Sequence, residues 1–132
     1  MLLVNESASS VTARTRVLIQ AALAEHHEVE LAMTSRRGHA SRLARGAAST
    51  GTDLVAVLGG DGTLNEAANG LAGTDCVLAP LPGGSTNVFA RTIGLDDDPL
   101  NATRQTIGAI SDNSIQSVGL GEVAGRYFLF NC

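Results

Sequence analysis

The residues of this chain best suited to chemistry lie in Gly59-Gly60-Asp61-Gly62-Thr63-Leu64-Asn65-Glu66. Three glycines in four positions permit positive φ and let other atoms approach the backbone closely. The apolar run Leu54-Val55-Ala56-Val57-Leu58 just before the turn reads as a strand buried on both faces. After it, Leu64, Ala67, Ala68 and Leu71 recur at helical spacing, and Thr63 with Glu66 has the spacing of a capping box. A strand therefore runs through a glycine turn into a helix whose N–H groups and dipole favour an anion, most often a phosphate. Asp61 would repel that phosphate, and a bridging Mg²⁺ reconciles the two charges. A second stretch of the same kind, Leu81-Pro82-Gly83-Gly84-Ser85-Thr86-Asn87, leaves the strand Cys76–Leu81 and opens a helix over Val88–Ile93.

The elements that must position these turns alternate along the chain. Met1–Val4 reads as a short strand ending in the polar turn Asn5 to Ser10, and Ser9 or Ser10 is placed to cap a helix through His26 with Val17, Leu18 and Ala21 inward. Val29, Leu31 and Met33 suit a strand nearer a sheet edge. A helix follows with Ala40, Leu43, Ala44 and Ala47 on one face, stopped at Gly51. The central strand leads to a helix over 63–72, and Asp96-Asp97-Asp98-Pro99 reads as an N-cap with proline at the first helical position. Leu100, Thr103, Ile107 and Ile110 share the face of that last helix. Ile115–Val123 and Arg126–Phe130 read as a terminal strand pair turning at Ala124-Gly125. This order predicts an α/β three-layer sandwich with a mainly parallel, Rossmann-like sheet and right-handed crossovers. Ligands collect beyond the carboxyl ends of such strands, so the loops at Asn5, Thr34, Asp61 and Ser85 are expected on one rim.

Composition narrows the function classes. The 132 residues fit one domain with no internal repeat, and a net charge of −4 argues against nucleic acid as the main ligand and against a polybasic membrane anchor. All nine basic residues are arginine, which excludes a P-loop lysine. Two cysteines, Cys76 and Cys132, form no disulfide framework, and a reduced, cytoplasmic setting is expected. No signal peptide and no apolar run near 18 residues is evident.

Several polar residues have two readings. Asp61 is a metal ligand or a plain turn aspartate, and Glu66 is a ligand contact, a cap or both. Thr34 is a nucleotide contact or a strand-end hydroxyl; Ser85, Thr86 and Asn87 are ligand contacts or ordinary caps. Arg36, Arg37, Arg42 and Arg45 form a solvated helix face by default, with phosphate or lipid-headgroup contact as the sharper alternative. Arg91 either touches phosphate or pairs with the Asp96–Asp98 run. His26 and His27 are expected in solvent, and His39 as packing or a cap.

Gly59–Glu66 together with Leu81–Arg91 resembles the diacylglycerol kinase catalytic-domain family of lipid kinases, which includes sphingosine and ceramide kinases. Thr34 with His39-Ala40, and Asn5 to Ser9, resemble its weaker signatures, so the likeness runs over essentially the whole chain. It implies the fold of the N-terminal domain shared by NAD kinases and diacylglycerol kinases. It also implies ATP and Mg²⁺ as cofactors, with nucleotide contacts from Asn5, Ser7, Ser9, Thr34, Gly59, Gly60, Asp61, Gly62, Thr63, Asn65, Glu66, Gly84, Ser85, Thr86 and Asn87. Asp61 would hold the metal and is the catalytic candidate. The implied reaction moves the γ-phosphate of Mg·ATP to a lipid hydroxyl, diacylglycerol first. Family members are about twice as long, so residues 1–132 are expected to be the nucleotide-binding catalytic domain without a C-terminal β-rich lipid-site domain. Such a piece would bind nucleotide with little turnover. Expected partners are ATP and the lipid acceptor, with a peripheral contact at the inner membrane face and a homodimer left open. The alternatives are a soluble-substrate kinase of the NAD kinase type and a non-catalytic nucleotide-sensing module.

Overall fold

The computed structural model describes residues 1–8, 11–84, 87–112, 120–123 and 126–129, the last two stretches as backbone alone. Four strands, β1 (Leu2–Val4), β2 (Leu31–Met33), β3 (Leu54–Gly59) and β4 (Val77–Pro82), form one parallel sheet in the order β2-β1-β3-β4. The registers Leu3↔Val57 and Val57↔Pro80 put the apolar centres of β1, β3 and β4 side by side. Pro80 and Pro82 lack N–H groups, which suits β4 to a place where only β3 pairs with it among the described residues.

Alternation along the strands feeds two cores. Leu2, Val4, Ala56, Leu58, Ala79 and Leu81 pack under α1 (Ala13–Ala24) and α5 (Pro99–Ser111), through Ile19, Leu23 and Ala102. Leu3, Val55 and Val57 pack on the other face under α2 (His39–Ser49) and α3 (Asp61–Leu71), through Ala40, Ala44, Ala47, Leu64, Ala67 and Leu71. The result is the three-layer α/β sandwich expected from the alternation of strands and helices. A short helix, α4 (Val88–Thr92), follows β4, and β5 (Leu120–Val123) pairs antiparallel with β6 (Arg126–Leu129), β6 running alongside α3. Residues 115–119, the turn at Ala124-Gly125, and Phe130 lie outside the described residues.

Two helix faces differ from the sequence expectation. Thr12, not Ser9 or Ser10, caps α1, its hydroxyl accepting from the Thr15 N–H at 3.1 Å; Ser9 and Ser10 lie outside the described residues. The inner face of α1 is Ile19 and Leu23, while Val17, Leu18 and Ala21 point outward. Val17 and Ile19 are two positions apart, about 200° around a helix, so both cannot face the sheet. Ile19 and Leu23, one turn apart, prevail. On α5 the buried residues are Ala102, Thr103 and Thr106, with Leu100, Ile107 and Ile110 half-buried at the margin. The two threonines can be buried because their hydroxyls donate to the Pro99 and Ala102 carbonyls. Asp98 caps α5 as expected, accepting from the Asn101 N–H at 3.0 Å with proline at the helix start.

Candidate functional site

β1 and β3 are neighbours, yet the helices that follow them, α1 and α3, lie on opposite faces of the sheet. That arrangement opens a crevice beyond their carboxyl ends, the topological switch point of an open α/β sheet. Asn5 leaves β1 there, its N–H donating to the Leu58 carbonyl at 3.0 Å, and Gly59-Gly60 leaves β3 beside it.

The two glycine turns touch backbone to backbone. The Gly83 N–H donates to the Gly59 carbonyl at 2.9 Å. A Cβ on Gly84 would lie 2.7 Å from Gly60 Cα, and one on Gly83 would lie 2.7 Å from the Gly59 nitrogen. Only glycine fits at 83 and 84 without moving the first turn. Asn87 then clasps the second turn shut: its Oδ1 accepts from the Gly84 N–H and its Nδ2 donates to the Gly84 carbonyl, both at 2.8 Å. It does so at φ 48, a left-handed conformation asparagine tolerates better than most side chains. Ser85 and Thr86 lie outside the described residues, between these anchored ends.

α3 begins at Asp61 with Gly60 in the cap position, two residues before the expected start. The Thr63–Glu66 capping box is therefore not formed, because extended Gly60 occupies the cap and brings Thr63 inside the first turn. Gly60 has no side chain with which to cap, which leaves the Gly62 and Thr63 N–H groups directed out of the helix end. Asp61, half-buried, sits in that first turn, where the helix dipole favours a carboxylate.

On the other side of α3 a cleft of ≈ 220 Å³ is lined by Asn5, Ser7, Thr34, Ser35, Arg36, Arg37, Ala40, Thr63 and Glu66. Its walls are tied together by side chains. Asn5 Nδ2 donates to Thr63 Oγ1 at 3.0 Å, while Asn5 Oδ1 accepts from the Ser7 N–H at 3.0 Å. Glu66 Oε1 accepts from the Gly38 N–H at 2.8 Å. His39 Nδ1 accepts from the Ser35 N–H at 2.9 Å, so His39 is the loop cap that was one of its two expected roles.

The predicted residues thus fall into two adjoining groups. Asn5, Ser7, Thr34, Thr63 and Glu66 surround the cleft, and Gly59, Gly60, Asp61, Gly84 and Asn87 form the paired turns on the opposite flank of the same helix end. Asn65 lines neither, and Ser9 is outside the described residues. Arg91 pairs with Asp97 at 3.0 Å, which resolves its two readings in favour of the ion pair. Arg42 and Arg45 face solvent as expected, but Arg36 and Arg37 line the cleft, and Ser35 joins them. The signal for these three was their place in a loop leaving the carboxyl end of a strand.

Among the described residues no three His, Cys, Asp or Glu side chains converge on one point. A divalent cation here would be held by Asp61 together with ligand oxygens and water, the usual Mg²⁺ pattern beside a phosphate. The glycine backbones that a Cβ would fill, beside one half-buried carboxylate, fit such a complex. No helix among the described residues is long and apolar enough to cross a membrane.

Comparison with known proteins bears on the same stretch. The family model described as the diacylglycerol kinase catalytic domain matches residues 1–123. A diacylglycerol kinase from Bacillus subtilis (strain 168) is 37% identical over 106 residues, covering 78% of this chain and 34% of that protein. A YegS-like lipid kinase from Pseudomonas fluorescens is 32% identical over 130 residues, 97% of this chain and 42% of that one. The crystal structure of a diacylglycerol kinase from Bacillus anthracis str. Sterne superposes with a TM-score of 0.84 at 30% identity, covering 96% of this chain and 43% of that chain. The chain thus spans less than half the length of these relatives.

Proposed function

The chain belongs to the diacylglycerol kinase catalytic domain family, and from that premise we propose that it is the nucleotide-binding half of an ATP-dependent lipid kinase. In this reading the two glycine turns hold the polyphosphate, the Gly62 and Thr63 N–H groups bond its oxygens, and Asp61 holds Mg²⁺. Bound there, the metal would supply charge neutralisation for the transferred phosphoryl group; phosphoryl transfer needs positioning and charge stabilisation more than covalent help from the protein. Asn5, Ser7 and Thr34 line the cleft that would take the rest of the nucleotide, with Arg36 and Arg37 as cations at its wall. Ser85 and Thr86 are further nucleotide contacts in this reading.

The acceptor is a lipid hydroxyl, diacylglycerol first, and its contacts lie largely in a β-rich domain beyond these 132 residues. The observation that carries the reading is the backbone contact of Gly60 with Gly84 beside Asp61, which supports treating two motifs distant in sequence as one anion site. The test is transfer of labelled γ-phosphate from Mg·ATP, with diacylglycerol in mixed micelles or NAD as acceptor. It compares this chain with a version lengthened by the portion of its relatives it does not span. The reading predicts diacylglycerol phosphorylation by the longer protein and little by this chain. Equal rates from the two would refute the half-site, and NAD phosphorylation alone would refute the lipid acceptor.

A further inference from the structure

We propose that Arg16 on α1 is a phosphate ligand: its guanidinium completes the paired glycine turns by binding the outer phosphates of the polyphosphate held there. Every other arginine whose side chain is described is exposed, whereas Arg16 is half-buried. Its Nε is fully buried and has no hydrogen-bond partner among the described residues. A guanidinium cannot shed its charge, so a buried N–H left unpaired costs stability that an arriving anion would recover.

The start of α1 places this group. Thr12 caps the helix, so Val11 and Arg16 stand one before the cap and one turn inside, the two positions whose side chains meet in a hydrophobic staple. The methylene stem of an arginine can serve as the inner half of such a pair. Val11 lies against the second glycine turn: a Cβ on Gly83 would come within 2.9 Å of its Cγ2. Arg16 is three residues before Ile19 and so continues the inner face of α1. Helical side chains lean toward the N-terminus of their helix, which for α1 is the end reached from β1 through Asn5. The stem of Arg16 therefore runs beside Val11 toward Gly83, at the rim that carries Asp61.

Charge favours a guanidinium at that point. Asp61 adds a negative charge to the turns, and a polyphosphate carries more charge than one Mg²⁺ neutralises. Arg36 and Arg37 stand on the other flank of α3, Arg91 is taken up by Asp97, and the chain contains no lysine. A planar guanidinium fork matches two phosphate oxygens at once. The identity of the anion rests on the nucleotide reading above; the unpaired Arg16 beside the second turn does not.

Calorimetric titration of Mg·ATP and of Mg·tripolyphosphate into this chain tests the assignment, for wild type and Arg16→Met, with thermal unfolding of the ligand-free chains beside it. Methionine keeps an apolar stem and removes the fork. The substitution should weaken both ligands at least about tenfold, while the ligand-free Tm holds or rises because a buried unpaired donor is gone. Arg16→Lys, which keeps a charge but not the fork, should recover part of the affinity. An Arg16→Met variant that binds both ligands as wild type does would overturn the proposal and leave the nucleotide reading standing. So would a ligand-free Tm lowered by several degrees in that variant, since the guanidinium would then be bonded within the fold. Tripolyphosphate bound through Arg16 as tightly as ATP would support the phosphate ligand and overturn the nucleotide reading. A wild-type chain that binds neither would overturn both.

Discussion

Gly70→Ala and Gly46→Ala are the same chemical change in two adjacent helices, the first one residue before the end of α3 and the second inside α2, and they should move stability in opposite directions. Replacing a helical glycine by alanine removes backbone entropy from the unfolded chain and is intrinsically favourable by up to about 1 kcal/mol. At Gly46 nothing lies within 4 Å of the new Cβ, so that gain should be realised. At Gly70 the Cβ would lie 2.3 Å from the Ser41 carbonyl oxygen and 3.0 Å from the Arg45 nitrogen. Both are backbone atoms of α2 and cannot rotate away; ordinary contact would need roughly another ångström. Forcing a methyl between α2 and α3 overpacks a core filled by Ala40, Ala44, Ala47, Leu64, Ala67 and Leu71. Overpacking of this kind costs about 3 kcal/mol, which leaves a net loss of about 2 kcal/mol after the helix gain. For a domain of this length 1 kcal/mol corresponds to about 3–4 °C in Tm. Thermal unfolding followed by circular dichroism should therefore show Gly46→Ala up by about 3 °C and Gly70→Ala down by about 7 °C. A Gly70→Ala variant at or above the wild-type Tm would refute the close helix crossing and the placement of α3 with it.

Two further outcomes follow from the same contacts. Gly84→Ala drives a Cβ into Gly60 Cα, so it should lower Tm by several degrees and abolish Mg·ATP binding, while Gly62→Ala, with open space at its Cβ, should leave Tm within about 3 °C; differential scanning fluorimetry with and without Mg·ATP reads both. Burial pushes the Cys76 thiol above its usual pKa, so in a Cys132→Ser background its alkylation by iodoacetamide at neutral pH should be slower than that of the unfolded chain, and the stability it contributes should be full below the ordinary thiol pKa and lost as pH rises through the raised one; equal folded and unfolded rates would contradict the burial.

Much of the fold was legible because its signals are local or periodic. Ala40, Ala44 and Ala47, and Leu64, Ala67, Ala68 and Leu71, repeat at helical spacing and are buried. Asp98-Pro99 announces its own helix start. Val17 and Leu18 misled because α1 carries a run of apolar residues, and only packing decides which of them turn inward. The site was legible as a set of residues but not as a set of roles. Thr63 and Glu66 have capping-box spacing, yet their partners are Asn5 and Gly38, 58 and 28 residues away. Local spacing cannot distinguish a cap from a cross-link whose other end is set by tertiary structure. Asn87 is similar: as a helix-start asparagine it reads as a cap, and its side chain instead closes the turn at Gly84. Arg36 and Arg37 were indistinguishable by charge from Arg42 and Arg45, and only the direction of the chain leaving β2 separates the pair at the cleft from the pair in solvent.

The most direct test of the paired turns as a Mg·triphosphate site is calorimetric titration of ATP into this chain, with Mg²⁺ and with EDTA, for wild type and Asp61→Asn. The account predicts binding that requires Mg²⁺ and weakens at least about tenfold in Asp61→Asn. Equal affinity with and without the metal, or an Asp61→Asn variant that binds like wild type, would contradict it.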